Sequence, residues 1–284
     1  MTISIERLTT LHTLSSCARL QHEITDTTII TTPLLVTLQR SGGLILGSYD
    51  TDLEPPLFCG TLVDLRGRNQ RVPSWHTVFH GVKGAFRNRG IGYRLRLRER
   101  REGRKEGVAL ITWTIDPLRS LEPHLAFNKL AAIAFSYERN LYGDLKDRMN
   151  RGLATDRLIV EWWIDSPRVV SVLDRGDLPH HFHLGLNQME VVTKTKPVVD
   201  GIRRLLDFEP SPKSRVILVE IPVDLDRMRE YDLSLARDWR LRTRDLFEQL
   251  FANGYTMTGF VHEAGRSFHL LERADKKTVL GRTT

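Results

Sequence analysis

The clearest chemistry in this 284-residue chain lies in the run Arg87-Asn88-Arg89-Gly90-Ile91-Gly92, between a strand candidate at Ser74–Val82 and a helix candidate at Gly90–Glu106. Glycine at such a turn lets the backbone pass close to a ligand. The N–H groups of the first helical turn have no partner within the helix, and with the helix dipole they favour an anion. A pyrophosphate suits this arrangement. A P-loop is excluded because no Gly-Lys-Ser/Thr follows, and a dinucleotide fingerprint is incomplete without its third glycine.

Charge points the same way. The chain has 42 Lys and Arg against 35 Asp and Glu, a net +7. Between Lys83 and Glu106 stand ten basic and three acidic residues, so this one segment carries the whole excess. The expected partner is a localised polyanion; the alternative is a solvated helix face with no ligand. Aromatic residues are not interleaved with a basic groove outside the motif, so a nucleic-acid partner is not expected.

The elements that must position this turn can be read from hydrophobic spacing. Ile3–Leu8 reads as a strand, His12–Thr27 as a helix, and Pro33–Arg40 as a second helix ended by Ser41-Gly42-Gly43. Leu44–Tyr49 and Leu57–Leu65 read as a hairpin joined by a link rich in proline and acid. Arg94-Leu95-Arg96-Leu97-Arg98 alternates like a strand, but good helix formers and the stop at Gly107 favour a helix over Gly90–Glu106. Val108–Thr112 is an apolar run suited to a strand buried on both faces, which implies a right-handed crossover. His124–Ala134 reads as a helix, Arg157–Ile164 as a strand, and Pro167–Pro197 as a turn-rich connection. Beyond it come a strand at Arg215–Ile221, a long helix at Leu233–Ala252 and a hairpin from Tyr255 to Leu271 around Gly265. The expected class is α/β (α+β), with domains at 1–166 and 167–284.

In this setting the glycine run resembles motif A of the GNAT acyl-CoA transferase superfamily, Gln/Arg-x-x-Gly-x-Gly/Ala, with Arg87, Gly90 and Gly92 on its first, fourth and sixth positions. The resemblance covers about residues 1 to 165. Trp113-Thr114-Ile115-Asp116-Pro117, Tyr137-Glu138-Arg139-Asn140-Leu141-Tyr142-Gly143, Thr155-Asp156-Arg157 and Glu161-Trp162 further resemble an uncharacterised subfamily of predicted acetyltransferases. The resemblance implies a mixed, mostly antiparallel sheet with flanking helices, and acetyl-CoA or another acyl-CoA as cosubstrate. It places the CoA diphosphate on Arg87, Asn88, Arg89, Gly90, Ile91 and Gly92. The pantetheine arm would pair against His80, Gly81 and Val82, with Asn128 as a further contact. The implied activity is acyl transfer to the amine of a small molecule, amino acids included; the alternative is a non-catalytic CoA-binding or regulatory module. Two departures stand out: the subfamily's Ser-His-Met run is Thr77-Val78-Phe79 here, and an asparagine expected near Glu122 is absent. The C-terminal part loosely echoes the last elements of a GNAT domain, as a degenerate second unit or as a packing or dimerisation module.

Transfer from a thioester to an amine needs a base for the ammonium, an oxyanion partner and a proton for the thiolate. By period 2, His76, Val78, His80 and Val82 share a strand face, and His80 is the nearer base candidate. An unperturbed imidazole there would make the rate rise through about pH 6 to 7. The other reading of His80 is a histidine satisfied within the sheet. Tyr137 is the acid candidate, with Tyr142 close by in sequence, and core packing is the alternative for both. Trp113 and Asp116 end the buried strand, where open sheets place ligands, and are the acceptor-binding candidates; Asp116 before Pro117 also suits a turn. His180-His181-Phe182-His183 lacks a completing carboxylate or cysteine, and no metal is expected.

Composition bounds these readings. Hydrophobic residues at 40% and charged residues at 27% suit an ordinary folded protein. Cys17 and Cys59 form no CxxC pair, which fits a reducing cytoplasm. No run approaches the roughly 18 apolar residues of a membrane span, so neither a membrane partner nor secretion is expected, and a homodimer stays open.

Overall fold

The computed structural model describes residues 1–69, 72–177 and 189–281. The chain divides into two compact units, Met1–Trp113 with Asp147–Met149, and Thr114–Lys146 with Asn150–Thr284. The break expected at 166/167 falls inside the second unit.

The first unit runs β1 (Ile3–Arg7), α1 (Leu11–Thr25), α2 (Thr32–Arg40), β2 (Leu44–Asp50), β3 (Leu57–Asn69), β4 (Val72–Val82), α3 (Ile91–Lys105) and β5 (Leu110–Ile115), the last crossing the unit boundary. Its strands lie in the order β1-β2-β3-β4-β5, antiparallel except for the parallel pair β4–β5. Thr10 caps α1 in a reciprocal capping box with Thr13, and Pro33 sits in the first turn of α2. Leu14, Cys17, Leu20 and Leu35 from these helices pack on Ile45, Val63 and Phe79 of the sheet. α3 settles the ambiguous Arg-Leu alternation: as a helix it buries Ile91, Leu95, Arg96 and Glu99 together, which a strand would split between two faces.

A bulge changes the reading of β4. Val63 pairs with Phe79 and Asp64 with Thr77, so Val78 is an extra residue opposite no partner on β3. The bulge resets the alternation: His76 falls in register with Leu65 and His80 with Leu62, residues that point to opposite faces of β3. The expectation that His76 and His80 share a face is therefore wrong. Thr77 and His80 share one instead.

The second unit contains α4 (Leu121–Pro123), continued as a π-helix through Lys129, then β6 (Ile133–Glu138), β7 (Arg157–Trp163), α5 (Pro167–Val170), β8 (Glu190–Val191), β9 (Thr193–Val199), β10 (Ile202–Phe208), β11 (Val216–Ile221), α6 (Leu225–Tyr231), α7 (Leu233–Ala252), β12 (Tyr255–Glu263), β13 (Arg266–Arg273) and α8 (Lys276–Val279). Its main sheet is ordered β7-β6-β12-β13-β11-β8, with β9 and β10 as a separate ribbon. The helix expected over His124–Ala134 stops at Lys129. Ala131 turns at φ 56°, and the remaining Ile-Ala run opens β6. The alanines and leucines there have high helix propensity, yet pairing with β7 and β12 overrides it. The connection expected over Pro167–Pro197 holds α5, a π-turn at Ser171–Arg175, β8 and most of β9.

The chain order β5–α4–β6–β7 recurs as β11–α6–α7–β12–β13. In each run the first strand has a parallel partner, β4 for β5 and β8 for β11. The link from β4 to β5 is the helix α3 with its glycine turn, whereas the link from β8 to β11 is the β9–β10 ribbon.

Candidate functional site

The site in the first unit starts from two open edges. β4 and β5 pair only at Ser74–Leu110, Trp75–Ile111 and His76–Thr112, and beyond His76 the described register ends while β4 continues to Val82 on β3. The edge of β4 from Thr77 to Val82 is thus left without a β5 partner, the kind of edge to which an extended ligand can add as a strand. At its far end the chain makes a single 3₁₀ turn at Gly84–Phe86, passes through the left-handed region at Asn88 (φ 60°) and Gly90 (φ 75°), and enters α3.

Gly90 is the N-cap, and its carbonyl accepts from Arg94 N at 3.0 Å. No atom stands within 4 Å of where a Cβ on Gly90 would lie, so the face of the turn is open. No side chain caps the helix, and the amides of Ile91 and Gly92 have no partner inside it. Arg87 Nε donates to Val82 O at 3.3 Å, holding an exposed guanidinium beside the turn. Arg89 lies 5.6 Å from the Phe86 ring, and Lys83 pairs with Glu23 at 3.2 Å. Arg87, Asn88, Arg89, Gly90, Ile91 and Gly92 are thus gathered in one open cradle suited to a diphosphate. Gly81 has another role, since Ile24 and Phe79 fill the space its Cβ would need.

Several of the other basic residues of the segment are engaged within the unit. Arg94 donates to Ile3 O at 2.7 Å, Arg98 and Lys105 bind Glu102, and Arg96 binds Glu99 at 3.0 Å. The basic residues beside the turn itself are Lys83, Arg87 and Arg89.

On the α3 side of β4 lies a buried cluster that sequence reasoning missed. Arg96 Nη1 donates to Thr77 Oγ1 at 2.7 Å, Thr77 donates to Glu99 at 2.8 Å, and the Arg96 guanidinium sits 4.0 Å over Trp113. Asp64 is fully buried beside them with no hydrogen-bond partner at standard geometry. Burial, then the charge of Glu99, pushes its carboxyl well above the usual range. A lone acid inside the apolar run Leu62-Val63-Asp64-Leu65 was the available signal.

The expected acid–base groups are placed as follows. His80 Nε2 is shut from solvent without a partner; burial, then the charge of Arg96, pushes the imidazole down to about 3. A titration through pH 6 to 7 cannot come from it. His76 meets Thr112 Oγ1 at 2.9 Å on the other face. In the second unit Tyr137 donates to Asp156 at 2.7 Å and stacks on Phe247; burial and then the Asp156 charge raise its pKa. Asp116 accepts from Arg240 at 2.7 and 2.8 Å and from Leu118 N at 2.9 Å; burial alone would raise its pKa, but Arg240 outweighs it and holds the carboxyl below the ordinary range. Asp116 thus holds the turn at Leu118 and, beyond anything its sequence neighbours indicate, pairs with Arg240. Asn128 closes its amide on the Phe260 backbone, donating to O at 2.7 Å and accepting from N at 2.8 Å, which fastens the π-helix to β12 and engages the group expected as a further cofactor contact. Trp113 is a buried wall under Arg96. The His180–His183 run lies outside the described residues, and among the described residues no cluster of metal-ligating side chains occurs.

The strand order of the first unit, the early end of the β4–β5 pairing, the bulge in β4 and the left-handed glycine before α3 agree with the mixed, mostly antiparallel sheet with flanking helices that the resemblance implied. No protein-family model matches the chain, and no curated protein matches it. Among solved structures it is similar to a chain of the NatC complex bound to Gag peptide and CoA, at 13% identity and TM-score 0.48, over 57% of this chain and 98% of that one. It is also similar to the ribosomal-protein-S18-alanine N-acetyltransferase from Escherichia coli (14%, TM-score 0.45, 56% and 92%). A third is the IAA acetyltransferase from Bacillus cereus (15%, TM-score 0.41, 56% and 98%). At these identities no activity passes from those proteins to this one.

Proposed function

We propose that the chain binds an acyl-CoA at the β4–α3 turn and transfers the acyl group to the amine of a small molecule. The observation that carries this reading is the pairing of an open, left-handed Gly90 N-cap with an unpartnered β4 edge immediately upstream. The amides of Ile91 and Gly92 with Arg87 would hold the diphosphate, and the edge from Thr77 to Val82 would take the pantetheine as a strand. In the reaction the amine nitrogen attacks the thioester carbonyl, the C–N bond forms, the C–S bond breaks, and the thiolate leaves and takes up a proton. The bulged Val78 backbone, outside the β3 ladder, is the donor suited to the developing oxyanion. Proton removal from the ammonium falls to water, because His80 stays neutral and is a very weak base, and Asp116 and Tyr137 are engaged elsewhere.

Those engagements also favour a second reading, a CoA-binding module without catalysis. Thermal shift with CoA and 3′-dephospho-CoA tests the binding shared by both readings: millimolar ligand should raise Tm, and Arg87→Ala should reduce the shift severalfold. No shift with either ligand would overturn both. Release of free thiol from acyl-CoA on adding an amine library separates the enzyme from the module. The run β11–β13 fits a degenerate repeat that lacks a second cradle, since the β9–β10 ribbon replaces the helix and its glycine turn.

A further inference from the structure

Phe135, Glu161 and Trp163 surround a single ammonium. Lys276 Nζ lies 4.5 Å over the Trp163 ring, 5.0 Å over the Phe135 ring and 2.5 Å from Glu161 Oε2. The same carboxylate oxygen accepts from Trp163 Nε1 at 2.6 Å, which fixes the indole plane. The register of β6 on β7 shifts between Ala134 and Ser136, so Phe135 is the bulged residue and its ring leaves the strand's alternation. Glu161 is 6% exposed and Trp163 5%.

The chemistry of these walls demands one cation. A buried carboxylate left alone is strongly unfavourable, and two aromatic faces attract positive charge through their quadrupoles. Neither demand is specific to a lysine of this chain. The walls come from β6 and β7, while the cation comes from α8, a single turn after β13. The Lys276 side chain stays about a quarter exposed, so the cage opens to solvent on the side from which the ammonium enters.

We infer that Phe135, Glu161 and Trp163 form a binding site for a primary alkylammonium ion, and that Lys276 is its tethered occupant. The segment carrying Lys276 has anchors of its own. Asp275 caps Thr278 N at 2.7 Å, Leu280 is buried, and Leu280 O accepts from Arg168 N at 3.3 Å. Removing the ammonium therefore empties the cage without freeing the segment. A tethered competitor acts at an effective concentration in the millimolar range, so an external ammonium must displace it and binds more weakly to the intact protein than to one lacking Lys276. The inference does not rest on acyl transfer.

The test is chemical complementation in the full chain. Lys276→Ala should lower Tm, and n-propylammonium chloride should restore it saturably at millimolar concentration, while n-propanol and sodium chloride at matched concentration do not. The intact protein should respond at least about tenfold more weakly, and adding Glu161→Gln should abolish the rescue. A natively folded Lys276→Ala protein with no saturable response to propylammonium beyond that to the controls would overturn the inference. Should that variant not fold, the intact protein still decides. With lysine labelled with 13C at Cε, the Lys276 signal should be shifted by the rings and move toward the free-lysine position on adding propylammonium. An unshifted signal, or one indifferent to propylammonium, overturns the inference.

Discussion

At the scale of single residues, burial reverses several assignments that residue type alone suggests. His80 has the right type and neighbourhood for a base, yet burial and Arg96 hold it at about 3. His269, enclosed by Phe127, Phe247 and Phe260 and donating to Pro117 O at 2.8 Å, is held at about 4, again chiefly by burial. Both histidines are neutral in the fold at pH values where the unfolded chain binds protons. Their contribution to stability is complete above about pH 6.5 and is lost as pH falls toward 4 and 3. His269→Gln should flatten the slope of unfolding free energy between pH 6.5 and 4 by roughly 1–3 kcal/mol, measured by urea denaturation. His80→Ala should leave the pH profile of any acyltransfer across pH 6 to 7 the same as in the parent, because the acceptor ammonium and not His80 sets it. A limb near pH 6.5 that disappears in the variant would restore His80 as the base. Asp64 works with the opposite sign: its folded carboxyl keeps its proton where the unfolded one has lost it, so it destabilises the fold increasingly as pH rises above about 4. Asp64→Asn should therefore raise Tm more at pH 8 than at pH 5.

At the scale of elements, glycines and bulges decide where the chain can meet a ligand. The φ of 75° at Gly90 suits glycine, and Gly90→Val should both strain the α3 N-cap and block the close approach of diphosphate to backbone. CoA-induced stabilisation should then vanish, which isothermal titration can read directly. Gly43 is a packing glycine: its Cβ would stand 2.8 Å from Asp64 O and 2.9 Å from Leu38 O, both backbone atoms. Gly43→Ala should destabilise by about 1–3 kcal/mol in chemical denaturation, whereas Gly67→Ala, with nothing within 4 Å, should change stability by about 0.5 kcal/mol or less. The glycine turn and its helix were legible because the signal is local. The bulge at Val78 was not, because it exists only in the register of β4 on β3, and a one-residue slip moves every later side chain to the other face.

At the scale of the whole molecule, net charge does not translate into a binding surface. The +7 of the chain lies in Lys83–Glu106, but it is not gathered on one face: Arg96 and Arg100 are buried, Arg94 is turned to the Ile3 carbonyl, and Arg98 and Lys105 lie on Glu102. Binding to duplex DNA should therefore be weak at low salt and absent near 150 mM, by fluorescence anisotropy; a complex that survives that salt would contradict this distribution of charge. The sequence by itself determined the position of the glycine turn, the amphipathic helices, most strands and the class of fold. Each depends on hydrophobic period and on turn residues within a few positions of one another. Tertiary structure alone decided which charged groups face a ligand and which face each other. Asp116 meets Arg240 across 124 positions, and Asn128 meets Phe260 across 132. Such partners are set by strand pairing and packing, which no local spacing encodes, and a buried polar group takes its protonation state and its role from the partner it finds.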